Sequence, residues 1–350
     1  PSFDQHNRLL ALSDRQGYWQ PWREGEGGMQ PLNCRAADHA AAPWQLGARN
    51  YLTLSGERLL LSGFDRGFAW LAERDPVSGH EQRLAPDYSR FRQLAADQQY
   101  FYVLAAAPQP GSVVLAIDRI SHACQVLAGS PCALPAEAVS LPQRLLFLSG
   151  AGESCHGFFY PPHNPAFQAP DGQKPPLLVF LHGGPTSACY PVFDPRIQFW
   201  TQRGFAVVDL NYRGSSGYTA LCALAFTQVF RAGASLYGVS DPLALRRVTH
   251  KFEADYLDWL IGDPQRDAAR YQARTPLLHA ERIQAPLIFF QGVLDNVVVP
   301  EQTAQMVAAL QRRGVEVECR VYANERHGFR QAENLADALD AELAFYRRLL

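Results

Sequence analysis

Leu177-Leu-Val-Phe-Leu181 runs straight into His182-Gly-Gly-Pro185. Five consecutive apolar residues lack the alternation of a strand with one wet face. They suit a strand buried on both sides, in a parallel sheet covered by helices. Ala206-Val-Val-Asp-Leu210 reads the same way. Around these two, Gln198–Arg203 and Thr219–Phe226 read as helices, and Ala232–Val239, Leu287–Gln291 and Val315–Tyr322 as further strands. Glu301–Arg313 and Glu333–Leu350 carry apolar residues at helical spacing. Strands alternating with helices predict a doubly wound, mostly parallel α/β layer.

Upstream the grammar differs. Six of the seventeen residues from Tyr160 to Pro176 are proline, a density that breaks ladders and helices and marks a surface connection. Before it come three pairs of short strands: Arg8–Asp14 with Tyr18–Trp22, Arg58–Asp65 with Gly67–Leu71, and Tyr100–Leu104 with Ser112–Ile117. Their starts at 8, 58 and 100 are 50 and 42 residues apart, close to the ~40–50 of propeller blades. Residues 1–150 therefore read as a partial β-propeller of about three blades, with an ordinary antiparallel sandwich as the alternative. Residues 151–350 read as the α/β domain.

Composition agrees with two folded domains: 350 residues exceed one typical domain, and 47% hydrophobic with 19% charged residues is enough for packed cores. The net charge of −2, from 32 basic and 34 acidic residues, gives no footing to a nucleic-acid or anionic-membrane partner. No apolar run approaches the ~18 residues of a membrane helix. The chain opens at Pro1, which reads as a processed product or a fragment. Seven scattered cysteines with no Cys-x-x-Cys pair argue against a disulfide or metal framework and suit a reducing cytoplasm. No dinucleotide fingerprint, P-loop or His-Glu-x-x-His motif is present, so no cofactor or metal is expected.

Three loops at the carboxyl ends of expected strands, where ligands of open parallel sheets bind, carry the chemistry. In His182-Gly-Gly-Pro185, the pair Gly183 and Gly184 lets backbone N–H groups point inward, as an oxyanion hole requires. Gln291-Gly-Val-Leu-Asp295 supplies an acid, and Glu325-Arg-His-Gly328 a histidine on the next strand end. Singly, each has an ordinary reading as a turn or loop. Jointly, Asp295 before His327 is the acid-then-histidine order of an α/β-hydrolase triad, in which the carboxylate orients the imidazole that takes the nucleophile's proton.

On these words the stretch from about 156 to 350 resembles the catalytic domain of the prolyl oligopeptidase family of serine peptidases, in its acylaminoacyl-peptidase and dipeptidyl-peptidase branch. The matching words also include Asn211-Tyr-Arg-Gly-Ser-Ser-Gly-Tyr218, Ala232-Gly-Ala-Ser-Leu-Tyr-Gly-Val-Ser-Asp241, Thr249-His-Lys-Phe-Glu253 and Glu325-Arg-His-Gly-Phe-Arg330. The resemblance implies an N-terminal propeller that admits short peptides, Asp295 and His327 as acid–base partners, Gly183 and Gly184 at the oxyanion hole, and hydrolysis of short or N-terminally blocked peptides by acyl transfer. It also implies a front shorter than the family's seven blades.

One family element is missing. The nucleophile of the family sits on a Gly-x-Ser-x-Gly elbow, and here Asn211–Tyr218 runs directly into Thr219-Ala-Leu-Cys-Ala-Leu-Ala-Phe226, which resembles the helix after the elbow. A helix, a central strand and the nucleophile are thereby absent. Ser215 and Ser216 each meet half of the elbow's demand for small residues two positions before and after: Ser215 has Gly217 but also Arg213, Ser216 has Gly214 but also Tyr218. Losing a buried central strand removes on the order of 10 kcal/mol, comparable with the ~5–15 kcal/mol that holds a domain together, so the flanking strands are expected to re-pair, or the chain to be marginal, or the sequence to be an incomplete piece of a longer protein. Ser215 and Ser216 read as ordinary loop serines, with Ser215 the substitute nucleophile if one of them serves. Three functions stay open: a serine peptidase whose family nucleophile this chain lacks, an inactive remnant or binding module, and a carboxylesterase on the same fold.

Overall fold

The strand pairs at Arg8, Arg58 and Tyr100 are the middle strands of three four-stranded antiparallel meanders in this computed structural model. It describes every residue except 1, 33, 41–46, 66, 110, 130, 131, 133, 185, 186, 213–215, 250 and 252–254. The first sheet is β1 (Ser2–Phe3), β2 (Leu9–Ser13), β3 (Gln20–Gly25) and β4 (Gly28–Pro31). The second is β5 (Tyr51–Thr53), β6 (Leu59–Asp65), β7 (Phe68–Arg74) and β8 (Glu81–Leu84). The third is β9 (Arg90–Ala96), β10 (Tyr100–Ala106), β11 (Ser112–Asp118) and β12 (Cys124–Gly129). The outer strands escape sequence reading because they are short or polar; β8 is Glu-Gln-Arg-Leu and β1 has two residues.

The meanders pack face to face in series. Leu10 and Leu32 of the first meet Leu59 and Leu61 of the second. Leu60, Leu71 and Leu84 of the second meet Phe91, Phe101, Val103 and Leu115 of the third. Serial packing of separate meanders is blade-like. The hairpins after β7 and β11 repeat one turn: Asp75 Oδ1 accepts the N–H groups of Val77 and Ser78 at 2.8 and 3.2 Å, and Asp118 Oδ1 those of Ile120 and Ser121 at 3.0 and 2.8 Å. Three sheets of this kind are described; a closed ring is not.

The expected single parallel sheet is two sheets. One holds β13 (Gln143–Leu148), β14 (Ser154–Tyr160), β15 (Leu177–Leu181) and β16 (Ala206–Asn211) in the order β13-β14-β16-β15, with antiparallel β13/β14 and β14/β16 pairs. The other is parallel: β17 (Gly233–Leu236), β18 (Leu287–Gly292) and β19 (Val317–Tyr322). Among the described residues β15 ends one sheet and β17 begins the other. This corrects the expectation that Leu177–Leu181 is buried on both faces. At the end of the order β13-β14-β16-β15, β15 is only partly covered, with Leu177 54% exposed.

By compactness the chain divides into Pro1–Phe180 with Thr186–Tyr212, and Leu181–Pro185 with Arg213–Leu350. This division runs through the α/β half, away from residue 150. In the first unit α1 (Pro195–Thr201) is locked to the chain before β13: Gln198 Oε1 accepts the Ser140 N–H at 2.8 Å and its Nε2 donates to the Ser140 carbonyl at 3.0 Å. In the second unit β18 is buried along its whole length. Leu287 and Phe289 pack against Leu221 and Leu224 of α2 (Ser216–Phe226) and Met306 and Leu310 of α6 (Pro300–Gln311). Ile288 and Phe290 point the other way, against Ala338, Ala341 and Phe345 of α7 (Ala332–Leu349). Three shorter helices, α3 (Pro242–Val248), α4 (Tyr256–Leu260) and α5 (Ala268–Ala273), lie in the connection from β17 to β18. Among the described residues no helix is long and apolar enough to cross a membrane, and the seven cysteines are free thiols.

Candidate active site

The parallel strands β18 and β19 deliver two loops to one sheet end. The loop after β18 turns at Gly292 and brings Asp295 inward; the loop after β19 carries Glu325 and His327. They are held together by backbone bonds: Val293 N–H donates to the Tyr322 carbonyl at 3.0 Å and Leu294 N–H to the Glu325 carbonyl at 2.9 Å. Gly292 makes this approach possible, since a Cβ there would lie 2.4 Å from the Glu325 carbonyl oxygen.

Asp295 Oδ2 lies 2.9 Å from His327 Nδ1. The carboxylate is fully buried, while the imidazole is 38% exposed. Asp295 Oδ1 accepts the N–H groups of Val297 and Val298 at 2.8 and 2.9 Å, which spares Oδ2 for the histidine. Behind it stands Gln291, buried at the end of β18, whose Nε2 donates to the Val298 carbonyl at 3.1 Å and reaches Asp295 Oδ2 at 3.5 Å. Thr303 of α6 donates to Gln291 Oε1 at 2.6 Å and fixes its amide orientation.

Glu325 organises the other loop. Its buried carboxylate accepts the N–H groups of Arg330 and Gln331 and Nδ2 of Asn334, each at 2.9 Å, tying the histidine loop to the start of α7. Burial by itself would raise this carboxyl; the bonds from Asn334, Gln331 and Arg330 outweigh it and hold it below its ordinary range. Tyr237, next after β17, brings its ring to 4.9 Å from the imidazole, centroid to centroid.

The structure thus brings together Asp295 and His327. Gly183 and Gly184 lie exposed just past β15, Gly184 in the left-handed region at φ +61°, with open space where a side chain would stand. Among the described residues no hydrogen bond links either glycine to the acid–histidine pair. Ser215, and with it His250, lies outside the described residues; Ser216 begins α2. Gln291, Thr303 and Tyr237 are site residues that sequence reading passed over. Only the word Gln-Gly-x-x-Asp hinted at the first. Among the described residues no group of three or more His, Cys, Asp or Glu side chains forms a metal-holding cluster.

Comparison with known proteins follows the same lines. The profile of the prolyl oligopeptidase family matches residues 216–350. Dipeptidyl peptidase family member 6 of Caenorhabditis elegans is 26% identical over 244 residues, 50% of this chain and 33% of that protein. A solved puromycin hydrolase superposes with TM-score 0.93 at 28% identity, over 99% of this chain and 60% of its own. A puromycin-hydrolyzing peptidase of Mycobacterium tuberculosis gives TM-score 0.91 at 30% identity, over 98% and 60%. The match therefore spans a third of the length of that curated relative and three fifths of the solved chains.

Proposed function

We propose that the chain, whose residues 216–350 match the prolyl oligopeptidase family of serine peptidases, serves the hydrolysis of short or N-terminally blocked peptides by acyl transfer. The observation that carries the reading is the 2.9 Å bond between buried Asp295 and His327. With Nδ1–H donated to the carboxylate, Nε2 is left with the lone pair that takes a proton from a nucleophile and returns it to the leaving amine. Gly183 and Gly184 are assigned to the oxyanion, and Ser215 to nucleophilic attack. Attack on the peptide carbonyl yields an acyl-enzyme and frees the amine; water, deprotonated by the same imidazole, releases the acid. We place this chemistry in the cytoplasm, on peptide substrates.

A second reading, an inactive remnant or binding module, is favoured by one observation: the sequence holds no Gly-x-Ser-x-Gly elbow. Labelling of the folded chain with a fluorophosphonate probe separates the two. The peptidase reading expects label at Ser215, lost in Ser215→Ala and in His327→Ala, and turnover of an aminoacyl anilide and of puromycin ahead of a simple p-nitrophenyl ester. Label at Ser216 moves the nucleophile by one residue, and ester turnover alone turns the assignment to a carboxylesterase. Folded protein that takes no label establishes the remnant.

A further inference from the structure

Tyr237 combines three features that an incidental neighbour of the histidine would lack. Its backbone is left-handed at φ +42°, a conformation that bulky side chains avoid and that persists only where surrounding structure enforces it. Its N–H donates to the Phe290 carbonyl at 2.8 Å, extending the β17/β18 ladder past its end. Its ring meets two members of the histidine loop edge-on, His327 at 4.9 Å and Phe329 at 5.3 Å, and Phe329 in turn meets Tyr322 of β19 at 4.9 Å.

The segment around it cannot slide. Gly238 packs against α2 so closely that a Cβ there would stand 2.4 Å from Ser235 Oγ and 2.7 Å from Gly217 Cα. Two residues on, the N–H groups of Ser240 and Asp241 both donate to Gln302 Oε1, at 3.1 and 3.0 Å, and Ser240 Oγ donates to the Gln302 carbonyl at 3.0 Å. Gln302 adjoins Thr303, which holds Gln291 behind Asp295. One loop, residues 237–241, therefore grips the imidazole at one end and leads to the carboxylate's support at the other.

We infer that Tyr237 is a positioning residue: its ring covers the inner side of the His327 imidazole and keeps Nδ1 turned to Asp295, leaving Nε2 to face solvent. The strained backbone is the device that aims the ring. The consequence deepens the acid–base reading given above and rests on it, but the positioning itself is measurable without catalysis.

The test is exchange of the His327 Nδ1 proton with water, followed by NMR on protein carrying 15N-histidine and assigned with His327→Gln. Tyr237→Asn and Tyr237→Gly remove the ring at a position both residues adopt without penalty; Tyr237→Phe keeps it. Either of the first two, whichever melts as a cooperative fold, is expected to speed exchange about threefold to tenfold, the worth of one aromatic pair, while Tyr237→Phe stays below threefold. Exchange below threefold in the ring-free variant, or acceleration in Tyr237→Phe equal to it, overturns the inference. A protected proton in a chain that takes no fluorophosphonate sinks only the peptidase reading; a labelled chain whose exchange ignores the ring sinks only Tyr237.

Discussion

Asp295 spends its two oxygens differently, and that division is what makes the site directional. Oδ1 is taken by the N–H groups of Val297 and Val298, so Oδ2 is held toward His327. Asp295→Asn keeps the shape but turns an amide N–H₂ toward Nδ1, which selects the tautomer protonated on Nε2 and, on the proposed acid–base reading, removes the base. Wherever hydrolysis of an anilide is measurable in this protein, the substitution is expected to lower kcat by roughly 10⁴ with the melting temperature little changed. Glu325 acts on structure instead. In Glu325→Gln one of the positions that accepts N–H bonds becomes a donor, and a cost of about 1–3 kcal/mol in urea unfolding is expected. The sign of its pH dependence follows from its direction: a carboxyl held below its unfolded value contributes stability above the ordinary carboxyl range that is lost as pH falls through its folded value. The difference between wild type and Glu325→Gln should therefore shrink in acid; a constant gap from pH 7 to pH 3 would refute the assignment. Asp295, His327 and the Glu325 word were legible in sequence because acid and histidine each follow an apolar strand. Gln291, Thr303 and Tyr237 were not, because their roles depend on which loops meet, and local pattern carries no such information.

At the scale of elements, the contact between α2 and the loop after β17 is a pair of glycines. Gly217 and Gly238 approach so closely that a Cβ on Gly217 would lie 2.3 Å from Gly238 Cα. Gly238→Ala must push α2 off the sheet, and overpacking of this kind costs about 1–3 kcal/mol. A urea midpoint shift of that size, with an unchanged slope, is the expected outcome; a neutral substitution would show that the helix floats. Periodicity served well wherever an element packs on both sides or one: β18, α6 and α7 stand within a residue or two of their sequence reading. It failed at β15, whose five apolar residues read as doubly buried and are only partly covered. Hydrophobicity reports what a strand can bury, and the neighbour that would bury it is not written in the strand.

Over the whole molecule, two desolvated groups of the first unit, half-buried Asp209 and buried His39, set opposing pH slopes. Asp209 of β16 is pushed up to about 7 by burial, with the nearby Asp194 adding to the shift. A carboxyl raised above its unfolded value of 3.8 contributes stability that is present below that value and lost as pH rises to about 7. His39 goes the other way: burial lowers it from 6.5, so its contribution is present above that value and lost in acid. Asp209→Asn removes the first slope alone. Its unfolding free energy relative to wild type should rise between pH 5 and pH 8, by an amount that at ~1.4 kcal/mol per unit cannot exceed a few kcal/mol; a flat difference would place the carboxylate in water. From the order of apolar runs, turns and prolines alone it was determined that three strand-pair repeats precede an α/β half with an acid and a histidine on successive strand ends, since those are matters of local pattern and chain order. Tertiary structure alone decided that each pair gains two flanking strands, that the α/β half is two sheets ending at β15 and beginning at β17, and that an aromatic ring and a glutamine frame the acid–histidine pair. Such outcomes depend on contacts between residues far apart in the chain, whose free energy belongs to the pair and to neither partner's sequence neighbourhood.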